Sequence, residues 1–143
     1  TDYPPWPATL PADDDTDMAR LMAGDHLPDI VEKLVNADIS SDWWQQAIGN
    51  LRDGCPVTAW LVWRQLKEAQ QLTLREVFRM ELAMALECTR RPDLPEGIRA
   101  RLVDKDQSPA WSSPSVSEVP EEVIDRHFQP HWTDDDCPMG LKA

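Results

Sequence analysis

The stretch RLVDKDQSPAW, residues 101–111, places side chains that could do chemistry directly behind a short amphipathic segment. A helix exit needs only a glycine, an asparagine or a later proline, so this run is more specific than an exit requires. Two interpretations are open. Basic side chains in this run could bind an anionic ligand. We favour the other interpretation, in which Asp104, Asp106 and Ser108 cap local backbone groups while Lys105 pairs with a carboxylate.

Other side chains that ligate metals or act as nucleophiles lack the spacing that such sites need. The three cysteines have no Cys-x-x-Cys spacing, which predicts neither a disulfide framework nor a zinc site. His127 and His131 are four residues apart, but Pro130 interrupts a helix between them. The chain has no Gly-x-Ser-x-Gly elbow and no glycine-rich phosphate loop. We therefore expect no metal site and no bound cofactor.

The charge distribution restricts the classes of partner. A net charge of −12 repels nucleic acid phosphates and anionic lipids, so we expect neither nucleic acid nor membrane as a partner. Most of the 14 basic residues lie between positions 43 and 111, where an anionic ligand would therefore be expected to bind. The alternative is that this middle part is merely balanced in charge. Without a signal peptide or a membrane-length apolar run, we expect a soluble, cytoplasmic protein.

Helix signals recur along the chain, and apolar residues follow helical rather than alternating spacing. Prolines stand near the start of several segments, and Thr73 and Glu76 have the spacing of a capping box. The predicted fold class is all-α, with about six short to medium helices. The segments expected to form them are 27–38, 40–54, 55–70, 73–91, 93–104 and 119–128.

Two of these helices, 56–70 and 74–90, are predicted to form an antiparallel hairpin, because the loop at 70–73 is short. Arg64 falls in the middle of the apolar stripe of the first helix, and Glu81 in that of the second. A lone charge there would lose hydration without compensation, so we predict that Arg64 and Glu81 pair across the hairpin. The alternative is that one or both lie at the stripe edge in water.

The composition suggests three regions. Residues 1–15 are rich in proline and acids and are predicted to be a linker from an upstream core. Residues 16–128 are predicted to form one helical domain, because a chain of this length supports one core. Residues 129–143 are predicted to be a disordered acidic tail.

The segment EGIRARLVDKDQSPAW, residues 96–111, closely resembles the C-terminal signature of the 3-hydroxyisobutyryl-CoA hydrolase branch of the enoyl-CoA hydratase/isomerase (crotonase) superfamily. The stretches CPVTAWLVWRQL, LTLREVFRMELAMA and SEVPEEVIDRHF resemble that family's neighbouring helices, in the same order. The resemblance covers residues 20–128. The chain departs from the family pattern at Cys55, Trp60, Arg101 and Ala110.

This resemblance implies a part of an enzyme rather than a complete one. The superfamily's ββα core lies upstream and supplies the oxyanion-binding N–H groups and the acid/base carboxylates, so no catalytic residue is expected in this chain. The implied reaction is hydrolysis of a short branched 3-hydroxyacyl-CoA thioester, as in valine catabolism. Coenzyme A enters only as part of the acyl-CoA substrate, and the implied partners are the upstream core and a homo-oligomer. Lys105 and Arg101 are the implied substrate-binding residues, because basic side chains suit the phosphates of coenzyme A.

Two other functions stay open. The superfamily scaffold also supports hydratase and isomerase reactions. A non-catalytic helical module could instead dock a partner through exposed tryptophans such as Trp6, Trp43 and Trp132. If these helices cover a larger core, they should expose an apolar patch on their own. The side chains expected to form that patch are Trp60, Trp63, Phe78 and Met84.

Overall fold

The computed structural model describes residues 18–133 and 135–140, and this part of the chain contains helices and irregular segments without a β-strand. The all-α fold class predicted from the sequence is confirmed. After a helical stretch at 18–21, the α-helices are α1 (Leu27–Asn36), α2 (Asp42–Asp53), α3 (Pro56–Ala69), α4 (Leu74–Arg90), α5 (Asp93–Ile98) and α6 (Glu121–Phe128). A π-helical turn, Arg99–Val103, continues α5, and 3-10 turns span Val116–Glu118 and Pro138–Gly140.

Local signals in the sequence explain where the helices begin. Pro28 and Pro56 stand in the first turns of α1 and α3, where the N–H that proline lacks would have no helical partner. The capping box of α4 is present: the Thr73 hydroxyl accepts the Glu76 N–H at 3.4 Å, and the Glu76 carboxylate accepts the Thr73 N–H at 2.7 Å. The Thr73 hydroxyl also donates to the Glu76 carboxylate at 2.6 Å, and this bond, followed by the one from the Thr73 N–H, holds the pKa of Glu76 below its ordinary value.

The described residues divide into two compact units at the Ile48–Gly49 boundary, inside α2. The buried apolar side chains of the first unit are Leu27, Ile30, Trp44 and Ile48. The predicted linker at 1–15 lies outside the described residues. The predicted domain boundaries at 15 and 128 therefore stay a prediction.

The second unit is organised around α6. Val57 and Leu61 of α3 form a buried cluster with Ile124 of α6. The most extensive contact between separate α-helices of this unit is that of α4 with α6, and α3 also packs on α6. The short loop after Ala69 thus joins two helices that share α6 as a packing partner.

The predicted ion pair between Arg64 and Glu81 is wrong. Arg64 Nη1 bonds Asp125 Oδ1 of α6 at 2.6 Å, and the guanidinium lies 4.4 Å from the centroid of the Phe128 ring. Glu81 is exposed and accepts a hydrogen bond from Gln65 Nε2 at 2.8 Å. The physical reason is that α6 brings a carboxylate and an aromatic face to Arg64.

The apolar surface also differs from the expected one. Of the four side chains expected to be exposed, Phe78 is 51% exposed, whereas the other three are half-buried. The position of the Trp60 ring is fixed by a hydrogen bond, since its Nε1 donates to the Val116 carbonyl at 2.8 Å. The large apolar side chains that α3 and α4 expose are Val62, Leu66, Leu74 and Phe78.

Part of the predicted tail is described. Cys137 is buried, and its Sγ lies 3.6 Å from Arg79 Nη1 of α4. Residues 134 and 141–143 lie outside the described part, so the order of the whole segment 129–143 stays a prediction. Among the described helices, none has both the length and the apolar character needed to cross a bilayer.

Candidate functional site

Arg99 is the centre of the polar run that follows α5. Its Nε and Nη2 bind the Glu96 carboxylate at 2.9 and 2.8 Å, and its Nη1 binds Asp104 and Asp106 at 2.7 and 2.6 Å. Nη2 also donates to the Ser108 carbonyl at 3.2 Å. These bonds use the full donor capacity of a guanidinium, which has five N–H groups. The run 104–108 therefore folds around one arginine.

The same carboxylates cap the backbone of the run. Asp106 Oδ1 accepts the Ser108 N–H at 2.9 Å, and Glu96 Oε1 accepts the Ala110 N–H at 2.7 Å. The capping interpretation is thus confirmed for Asp106, whereas Asp104 binds Arg99 instead. Within residues 18–133 and 135–140 no ion pair of Lys105 is recorded, so its predicted carboxylate partner is not among them.

The backbone of this run is strained at two positions. Lys105 and Gln107 have φ angles of 56° and 58°, in the left-handed region that residues other than glycine rarely adopt. Such a conformation costs on the order of 1–3 kcal/mol and persists only where surrounding contacts impose it. Here the Arg99 network imposes it, and the Gln107 N–H also bonds the Ala100 carbonyl at 3.1 Å.

The role of Arg99 was not predicted from the sequence. A signal was present, because four carboxylates lie within seven residues of Arg99, and three of them, Glu96, Asp104 and Asp106, bind its guanidinium. The capping interpretation gives Asp104 and Asp106 backbone partners only and assigns no partner to Glu96. The contacts of Asp104 and Asp106 with Arg99 depend on the π-helical turn Arg99–Val103, which brings the run back to the end of α5.

The segment 97–111 forms one wall of an apolar cavity of about 420 Å³ in the second unit. Gly97 allows the Trp111 ring to approach closely, because a Cβ at position 97 would lie 3.2 Å from that ring. Trp111 is fixed from the other side, since its Nε1 donates to the Asp53 carbonyl at 3.2 Å. The opposite walls come from α3, α4 and α6.

The structure separates the two predicted substrate-binding residues. Arg101 is exposed and lines the cavity, whereas Lys105 is exposed on the strained run and is not part of the lining. The cavity also contains His127 and the thiols of Cys55 and Cys88. Substrate binding by Arg101 and Lys105 stays a prediction.

The cavity is better suited to binding than to nucleophilic chemistry. Burial, and then the neighbouring Cys55, raise the pKa of the Cys88 thiol, so the reactive thiolate is disfavoured. His127 is buried, and its Nδ1 lies 2.8 Å from the Val123 carbonyl. Because a carbonyl can only accept, Nδ1 carries the proton in this contact, which leaves Nε2 as the acceptor nitrogen of the ring. Among the described residues, no cluster of three or more His, Cys, Asp or Glu side chains could hold a metal ion.

The pH dependence of stability offers a test of the Arg99 network. The hydrogen bonds from Arg99, and next that from the Ala110 N–H, lower the pKa of Glu96 from 4.5 to about 2. Since the folded pKa is lower than the unfolded one, Glu96 stabilises the fold above the unfolded pKa, and the contribution is lost as the pH falls towards the folded pKa. We expect the difference in unfolding free energy between the native chain and Glu96→Gln to shrink from about pH 5 to about pH 2.

Urea unfolding at a series of pH values would measure that difference. A difference that stays constant down to the lower end of this range would contradict the assigned contacts of Glu96.

Comparison with known proteins finds relatives and a solved structure that are similar to most of this chain. The chain is 33% identical over 115 residues to "3-hydroxyisobutyryl-CoA hydrolase, mitochondrial" of Gallus gallus, covering 80% of this chain and 29% of the relative. It is 28% identical to "Small ribosomal subunit protein mS47" of Arabidopsis thaliana, covering 82% of this chain and 30% of the relative. A crystal structure of an enoyl-CoA hydratase from Rhodobacter sphaeroides matches with a TM-score of 0.72 and 26% identity, over 82% of this chain and 34% of that structure. The chain thus spans about a third of the length of these relatives.

The expectation of a cytoplasmic protein is wrong. The hydrolase from Gallus gallus and other hydrolases of that name are mitochondrial proteins by their names. The cytoplasmic expectation depended on the absence of a signal peptide and of a membrane-length apolar run, and neither feature distinguishes the cytoplasm from the mitochondrion.

The family assignment is independent of these individual relatives. The family model described as "Enoyl-CoA hydratase/isomerase" matches residues 4–128, which include the segment 96–111 with its Arg99 network. The structural likeness to an enoyl-CoA hydratase covers most of the same helices. The chain belongs to the enoyl-CoA hydratase/isomerase family.

Proposed function

We propose that this chain is the C-terminal helical part of a mitochondrial acyl-CoA thioester hydrolase that acts on 3-hydroxyisobutyryl-CoA or a near relative, as in valine catabolism. The observation that carries the proposal is the match to relatives named as that hydrolase, at 33% identity over 80% of this chain. The segment of highest resemblance, 96–111, also forms one wall of the apolar cavity.

In this proposal the helical part binds and orients the substrate. The cavity is lined largely by apolar side chains, which suits the uncharged part of an acyl-CoA. Arg101 at the cavity and Lys105 on the exposed run are the groups that we propose for binding coenzyme A phosphates. The acid/base groups and the donors that stabilise the thioester oxyanion belong to the core of the complete polypeptide.

The test compares two reactions of the complete polypeptide. We expect thiol release from 3-hydroxyisobutyryl-CoA and similar branched thioesters to be faster than hydration of 2-enoyl-CoA, which is followed by loss of its conjugated absorbance. The 143-residue chain alone should release no thiol, because in this proposal the acid/base groups and the oxyanion donors belong to the core, and the raised pKa of Cys88 disfavours its thiolate. Thiol release by this chain alone would overturn the proposal that the catalytic groups lie elsewhere.

Two specific observations favour other functions. A similar solved structure is an enoyl-CoA hydratase, so faster hydration than hydrolysis would replace our choice with a hydratase. The likeness to a ribosomal subunit protein favours a non-catalytic role. A complete polypeptide that catalyses neither reaction, yet co-purifies with a macromolecular assembly, would support that role instead.

A further inference from the structure

A second, polar cleft lies at the C-terminal ends of α4 and α6. It measures about 650 Å³, and its lining includes Glu87, Arg90, Arg91, Arg126, Gln129 and His131. It shares Arg91 with the apolar cavity, but its lining is otherwise different. Neither the segment 96–111 nor the proposed hydrolase function accounts for it.

A buried carboxylate anchors one of its arginines. The Glu87 side chain is 8% exposed, and its two oxygens lie 2.8 Å from Arg91 Nε and 3.1 Å from His131 Nε2. Burial by itself would raise the pKa of Glu87, but the hydrogen bond and charge of Arg91 outweigh it, so the pKa is lowered and the carboxylate stays ionised. Arg91 is therefore oriented through Nε alone. Its Nη groups have no partner recorded among the described residues.

The other two arginines of the cleft differ from Arg91 in their contacts. Arg90 and Arg126 are exposed, and within residues 18–133 and 135–140 neither forms an ion pair or a hydrogen bond through its side chain. The chain has 26 acidic residues and 14 basic ones, so it contains more than enough carboxylates to pair with every basic side chain. Arg90 and Arg126 therefore line the cleft together with Arg91 but without carboxylate partners among the described residues. Positive charge is concentrated there.

The charges of the cleft do not cancel. Three arginines contribute three positive charges and Glu87 removes one. The C-terminal ends of α4 and α6 each contribute a partial negative charge of about 0.5, so about one positive charge remains before His131 is counted. An anion in the cleft would relieve the repulsion among the arginines.

We propose that this cleft is a binding site for a phosphate group, held by Arg91 together with Arg90 and Arg126. A guanidinium presents paired N–H donors that match two oxygens of a phosphate, and Arg91 is already held in place for this contact. The cleft is larger than a phosphate ion, so it also has room for the organic part of a phosphate monoester. The proposal does not depend on the proposed hydrolase function.

The test is a titration of the protein with inorganic phosphate and, separately, with glycerol phosphate, by calorimetry at low ionic strength. We expect saturable binding, weakened about fivefold to tenfold by Arg90→Gln and by Arg126→Gln, since each removes one charge-assisted contact. The matched control is Arg75→Gln, because Arg75 is an exposed arginine at the opposite end of α4 with no partner recorded among the described residues. It should leave the affinity unchanged.

The outcomes separate the sources of the phosphate. Tighter binding of glycerol phosphate would indicate an organic phosphate, and tighter binding of the inorganic ion a free phosphate. Either result supports the site. Absence of saturable binding of both probes, or equal weakening by Arg75→Gln, would overturn it, because the arginines would then act only through overall charge.

Discussion

Replacing Glu87 with alanine is expected to destabilise the second unit by about 3 kcal/mol, the lower end of the range for breaking a buried ion pair. The Glu87 side chain is 8% exposed, and the variant leaves Arg91 and His131 without the carboxylate that they share. We take the lower end because Arg91 is 27% exposed and water can compensate part of the loss. Urea unfolding followed by tryptophan fluorescence would measure the change.

Glu81→Ala is the matched control on the same helix. Glu81 is exposed, and among the described residues its carboxylate accepts one hydrogen bond, from Gln65, so its removal should cost less than about 1 kcal/mol. Equal losses for the two variants would contradict the assignment of Glu87 as the buried carboxylate of α4.

Leu61→Ala is expected to cost about 2–5 kcal/mol, because it removes most of a side chain from the central cluster of the second unit. Leu61 is 5% exposed and packs with Val57 and Ile124. The variant would leave a void between α3 and α6, whose lining atoms lose their packing partners. The same unfolding measurement applies.

Leu66→Ala provides the comparison for this helix. Leu66 is 63% exposed, so the change should stay within about 0.5 kcal/mol, as is usual for surface substitutions. If Leu66→Ala proved as costly as Leu61→Ala, Leu66 would be covered in solution by a surface outside the described residues. A loss below about 1 kcal/mol for Leu61→Ala would contradict the position of the core.

The sequence by itself determined the features that depend on near neighbours. The capping box of Thr73 and Glu76 and the prolines at the starts of α1 and α3 act within one helical turn, so their effect can be predicted without a fold. Helical periodicity likewise predicted the all-α class. The motif 96–111 indicated the family, which the match over residues 4–128 confirms.

The candidate site could be predicted only in part. The run 101–111 was recognised as specific, and the capping role of Asp106 was anticipated. Its organisation around Arg99 was not, because that requires the π-helical turn to bring residues 104–108 back to the end of α5. Arg101 lines the cavity and Lys105 does not. This difference is also a consequence of the π-helical turn and of the strained backbone after it.

Only the tertiary structure decided which charged side chains meet. Helical spacing shows which residues share a face of α3 or α4, but not which distant segment covers that face. Because α6 packs on both helices, Arg64 binds Asp125 rather than Glu81. On α4 the buried carboxylate is Glu87, six residues further along than the predicted one, since the packing of α6 determines which side of α4 loses contact with water.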